Sequence, residues 1–128
     1  MVLVYNQNFE ISRLKELARD FPLYNVEIHY LIERIVDLMI PFQKKHIYLP
    51  EMKGSYSIKK VFPALIEHSG YKNLDIGDGG AAMRSFEQLY YEKNPDIIKK
   101  TRHDLLEYCK LDTYAMVLLL EKLHCLTL

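Results

Sequence analysis

Cysteine is scarce in this 128-residue chain: only Cys109 and Cys125 occur, sixteen positions apart in what reads as one helix. Two thiols without metal-ligand company exclude a disulfide framework and a cysteine-rich zinc site, and the reading for both is a reduced, buried thiol. No run approaches the roughly 18 consecutive apolar residues that a membrane span requires. The opening Met-Val-Leu-Val-Tyr-Asn has neither a charged leader region nor a cleavage site, so the chain is expected to be cytoplasmic. Excess charge is missing as well, with Lys+Arg and Asp+Glu balanced at 17 each. A global basic field for nucleic acid is thereby excluded, and any basic patch must be local. Internal repeats, low-complexity tracts and long linkers are absent.

What is present is enough apolar material for a core, 49% of residues being hydrophobic and 12% aromatic, and one domain over residues 1–128 is the default. Residues 2–5, Val-Leu-Val-Tyr, form a short apolar run ending at Asn6, the pattern of a buried strand entering a turn. Phe9, Leu14, Leu17 and Ala18 recur at helical spacing, so a helix is expected from about 9 to 20 with Asn8 as its cap. A second helix runs from Asn25 as cap through Glu33. Ile35 to Met39 fits either a short strand or a helical continuation. Pro41 to Gly54 reads as an ordered loop, and Ser55-Tyr56-Ser57 opens a helix that Pro63 should kink or shorten. Gly77-Asp78-Gly79-Gly80 lacks the pattern of a phosphate loop and reads as a turn or mobile loop. Ala81 to Tyr91 looks helical, and Asn94-Pro95 starts a further run with Asn as cap and Pro at the first helical position. Thr101 with Asp104 resembles a capping box for a last helix over about 102–125. Its apolar face is expected to carry Leu105, Leu106, Cys109, Met116, Leu119, Leu120 and Leu123.

Two constellations carry chemistry. In Tyr108-Cys109-Lys110-Leu111-Asp112 a phenol and a carboxylate lie one helical turn apart on one face. A hydroxyl that can orient water then stands beside an oxygen that can bind a metal; the competing reading is a packed Tyr108 and a solvated Asp112. In Leu3 to Glu10 a strand runs into a turn that delivers Glu10 to the first turn of a helix, near a strand's carboxyl end, where open α/β sheets place their sites. Here the competing reading is an acid that meets the positive end of the helix. His29, His46, His68, His103 and His124 show no ligand spacing. Lys44, Lys45, Lys53, Lys59 and Lys60, interleaved with Phe42, Tyr48 and Tyr56, make the nearest approach to a basic and aromatic surface suited to a single strand; the competing reading is an ordinary solvated face.

Strand-Asn-x-x-Phe-acid followed about a hundred residues later by Tyr-x-x-x-Asp resembles the second and third motifs of the DEDD exonucleases, and the tyrosine points to their DEDDy branch. A closer resemblance is to the bacterial domain of unknown function 2779 family. It is carried by Tyr-Asn-Gln-Asn-Phe-Glu, Pro-Glu-Met-Lys-Gly-Ser-Tyr-Ser-Ile-Lys-Lys-Val and Glu-Tyr-Cys-Lys-Leu-Asp-Thr-Tyr-Ala-Met-Val, and covers residues 3–124. That family's segment usually ends a larger protein.

The resemblance implies an α/β architecture: a partial RNase H-like fold, helix-rich and without its N-terminal strands. It implies a fragment of a metal-dependent 3′-to-5′ exonuclease acting on single-stranded nucleic acid, or a non-catalytic interaction module that kept such a fold. In that frame Asp112 holds a metal ion, Tyr108 orients the attacking water and Glu10 holds a second ion through water. Asn6 and Phe9 support the site, while Tyr56, Lys59 and Lys60 touch nucleic acid. The metals would be two Mg²⁺ or Mn²⁺ ions about 4 Å apart. The second-motif acid is Glu where Asp is usual, and no Asp-x-Glu occurs anywhere. The chain is therefore expected to be inactive alone and to bind these ions poorly. With its first strand left without earlier strands to pair with, it is expected to associate with itself through that edge.

Overall fold

A computed structural model describes residues 1–67 and 70–127. The chain divides into two compact units, Met1–Val61 and Phe62–Leu128.

In the first unit, β1 (Val2–Val4) pairs in parallel with β2 (Ile35–Asp37), Val2 opposite Ile35 and Val4 opposite Asp37. Parallel neighbours cannot be joined by a tight turn and need a crossover. Here the crossover is α1 (Gln7–Asp20), a 3₁₀ turn at Pro22–Tyr24, and α2 (Asn25–Glu33). Pro22 stops α1, since it has no N–H to continue the ladder. The Val2 amide bonds the Arg34 carbonyl, and the Leu38 amide bonds the Val4 carbonyl, closing both ends of the strand pair. Val4, Ala18, Ile28, Leu38, Met39, Phe42 and Met52 are buried. After β2 in sequence come α3 (Ile40–Gln43), a 3₁₀ turn at Pro50–Met52 and α4 (Ile58–Leu65), whose first four residues belong to this unit, so the segment expected to be loop is partly helical. Lys53 and Gly54 both have positive φ, at 51° and 77°. They form a tight turn closed by the Ser55 amide on the Met52 carbonyl, and Gly takes such a φ without steric cost.

In the second unit α5 (Gly79–Gln88) and α6 (Pro95–Thr127) form a helical hairpin. Gly79, at the start of α5, lies beside Tyr108, well along α6, so the helices run antiparallel. Asn94 caps α6, its side-chain oxygen accepting from the Asp96 amide at 2.9 Å, and Pro95 takes the first helical position. Helix α6 then continues for 33 residues. Thr101 therefore lies inside a helix and caps nothing; Asp104 pairs with Lys100 one turn earlier at 2.6 Å. The buried stripe of α6 is Tyr108, Leu111, Ala115 and Leu119, spaced by three or four residues as a straight helix face demands. That face is rotated from the expected one: Leu106 is 68% exposed, and Cys109 and Cys125 are exposed thiols, not buried ones.

The expected partial RNase H-like α/β fold is corrected by this architecture. Helices carry most of the described chain, and its strands are two parallel pieces of three residues each. The apolar runs at 2–5 and 35–39 are too short to extend into a sheet. Asn6 turns left-handed after β1 (φ 76°), and Asp37 folds back on the Met39 amide after β2. Motif spacing fixes linear order along a chain and leaves the sheet undetermined. The expectation that β1 would lack a partner is corrected too, because β2 supplies one from the same chain.

Candidate functional site

The strongest local arrangement in the first unit is one that motif reading did not single out. Asp37, at the end of β2, is 6% exposed. Its carboxylate accepts from the backbone amides of Asn6, Gln7 and Met39, each at 2.9 Å. Two of these donors open α1, whose first amides have no partner within the helix. No side chain of the preceding loop caps α1, so Asp37 caps it from the neighbouring strand, and a buried carboxylate is stable only with such donors. The signal was available: an acid inside the apolar run Ile35-Val36-Asp37-Leu38-Met39 has to find buried donors. Burial, and then the charge of Asp37, hold the Tyr5 phenol well above its ordinary value, and its hydroxyl donates to the Tyr56 carbonyl.

Beside this pair an open cleft of about 630 Å³ is lined by Tyr5, Asn6, Met39, and Gly54 to Ile58. Tyr56, 44% exposed, is on its wall. Lys59 and Lys60 stand in the first turn of α4. Glu10 is half-buried in the first turn of α1, the end already neutralised by Asp37. Phe9 is 54% exposed and carries the Arg13 guanidinium 5.6 Å from its ring centre.

In the second unit the expected proximity of Tyr108 and Asp112 is present. Tyr108 is 9% exposed. Burial, the charge of Asp112 and a hydrogen bond with its side chain, and the charge of Asp78, push the phenol up to about 12. It therefore stays protonated around neutral pH and can donate to the Asp112 side chain. Asp78 caps α5, its Oδ1 accepting from the Ala81 amide at 2.7 Å. The segment read as a turn or mobile loop is thus a capped helix start. A side-chain carbon at Gly80 would press to 3.2 Å from that oxygen, so glycine leaves room for the capping carboxylate. Asp before Gly-Gly-Ala-Ala was the legible sign of this cap.

Tyr108 and Asp112 are brought together with Asp78 as a third member, whereas Glu10, Asn6 and Phe9 belong to the other unit. Among the described residues no group of three or more His, Cys, Asp or Glu could hold a metal ion. Asp112 and its neighbours therefore supply at most part of a coordination shell. Of the five histidines, His68 lies outside the described residues. No helix among the described residues is long and apolar enough to cross a membrane.

Comparison with known proteins gives matches of unassigned activity. The family described as Domain of unknown function (DUF2779) matches residues 1–57, the portion holding β1, the Asp37 cap and all of the cleft's lining but Ile58. A curated relative, the uncharacterized protein UU173 of Ureaplasma parvum serovar 3, is 33% identical over 132 residues. That similarity covers 90% of this chain and 19% of the relative, so the chain spans about a fifth of the relative's length. No solved structure matches significantly.

Proposed function

We propose that this chain contributes Glu10, Tyr108 and Asp112 to a metal-dependent 3′-to-5′ exonuclease, as one segment of a longer protein acting on single-stranded nucleic acid. The observation that supports the reading is the buried Tyr108 phenol hydrogen-bonded to Asp112 one turn away. A protonated phenol beside a carboxylate is the donor set that can orient a water next to a metal-binding oxygen. In this proposal Mg²⁺ or Mn²⁺ supplies charge stabilisation when bound, and the remaining ligands come from acids outside this chain. Tyr108 holds its proton and directs its hydroxyl, Asp112 supplies the carboxylate, and Tyr56, Lys59 and Lys60 offer a stacking face and cations to the strand.

The test is degradation of a 5′-labelled single-stranded oligonucleotide with Mn²⁺. The isolated 128-residue chain should be inactive and the longer protein active, and Asp112→Asn should lower the rate of the longer protein at least 100-fold. An active isolated chain, or a longer protein indifferent to Asp112→Asn, would sink the proposal.

A second reading, a non-catalytic interaction module, is favoured by the apolar exposure around α2: Leu23 is 83% and Val26 77% exposed. A longer protein that binds the oligonucleotide or another protein and never cleaves would select it.

A further inference from the structure

The α5–α6 hairpin carries a groove of about 500 Å³. It is lined by Met83 and Phe86 of α5, by Leu89 just past the end of α5, and by Leu105 and Leu106 of α6, with Arg102 at the end nearest the start of α6. Met83, Phe86 and Leu106 are 70%, 67% and 68% exposed, and they share one groove, which sets them apart from apolar residues exposed singly. Both walls repeat at helical spacing over two turns, so the groove is about 10 Å long. A methionine and a phenylalanine give it the adaptable lining that receives a helix.

Arg102 decides which helix. It is the charged residue of the lining, and the positions one turn away on α6 are Ile98, Lys99, Leu105 and Leu106, with no acid among them. Among the described residues Arg102 enters no ion pair, whereas nearby Lys100 is held by Asp75 and Asp104 at 3.0 and 2.6 Å. An unanswered guanidinium at the end of an apolar groove selects a partner that brings a carboxylate.

We infer that the α5–α6 groove is a docking site for an amphipathic helix that presents two or three apolar side chains on one face and an acidic residue at the end meeting Arg102. This does not depend on the nuclease reading, since Tyr108 and Asp112 line no part of the groove.

Fluorescence anisotropy with the full chain tests it. The probe is a labelled synthetic helix of about 15 residues carrying Leu at i, i+4 and i+7 and Glu at the Arg102 end; a matched probe carries Lys in place of that Glu. The Glu probe should bind roughly tenfold tighter than the Lys probe. Arg102→Glu should reverse that order, and Phe86→Lys should abolish binding of both. Both sites are exposed, so the variants should keep the wild-type helical circular dichroism. Failure of the Glu probe to bind, equal binding of the two probes, or an order unchanged by Arg102→Glu overturns the inference. So does sedimentation showing a dimer that Phe86→Lys dissolves, since a second copy would then occupy the groove.

Discussion

At the scale of single residues, Asp37 and Tyr108 make the sharpest demands. Asp37→Asn keeps the shape but leaves one acceptor oxygen where two served three amides, and it turns an NH₂ group toward a buried donor. The expected cost is about 2–4 kcal/mol in urea denaturation; a change under about 0.5 kcal/mol would mean that the carboxylate does not hold the start of α1. Tyr108 predicts a pH dependence. Its phenol titrates near 10 when unfolded and at about 12 when folded, so above pH 10 the unfolded chain binds fewer protons than the folded one. Stability from this group is complete below about pH 10 and is lost as pH rises toward 12. Tyr5 is shifted in the same direction and adds to the decline. The melting temperature of Tyr108→Phe should therefore fall less steeply over this range than that of the wild type, and parallel curves would remove the assignment.

At the scale of elements, the register of α6 can be checked by paired substitutions. Ala115 is fully buried in the stripe with Tyr108 and Leu119, and Ala115→Leu should cost about 1–3 kcal/mol through overpacking. Leu106→Gln, at an exposed position on another face, should change stability by less than about 0.5 kcal/mol. The reverse order would return α6 to the face that its leucines suggested. That face was misread because a 33-residue helix rich in leucine offers more than one apolar stripe, and only a partner surface chooses between them. Asp78→Ala should cost about 1 kcal/mol through loss of the α5 cap. Capping by Asn94 and Pro95 was legible because it is local chemistry, as were β1 and the body of α1, whose patterns lie within a few residues; the cap expected at Asn8 was wrong, since Asn8 lies inside α1. The Asp37 cap was not: its donors at Asn6 and Gln7 are about thirty positions away in sequence, and only the pairing of Val4 with Asp37 brings them together. Tyr108 and Asp112 could be joined from sequence alone because a helix places i and i+4 on one face.

At the scale of the whole molecule, the two units and the short parallel strand pair were beyond what motif order could convey. Motif order states which residues follow which, whereas the expected sheet requires strands that this chain's apolar runs do not form. The functional proposal therefore stands on the Tyr108–Asp112 pair and not on architecture. The most direct test of that pair is a double-mutant cycle in the longer protein, read as the Mn²⁺-dependent rate of mononucleotide release from a single-stranded 3′ end. If Tyr108 acts only through the water beside Asp112, Tyr108→Phe should slow release roughly 10- to 100-fold. Asp112→Asn should slow it further, and the double variant should be no slower than Asp112→Asn alone, because residues that work as a unit are not additive. Fully additive losses, or full activity in either single variant, would contradict the account.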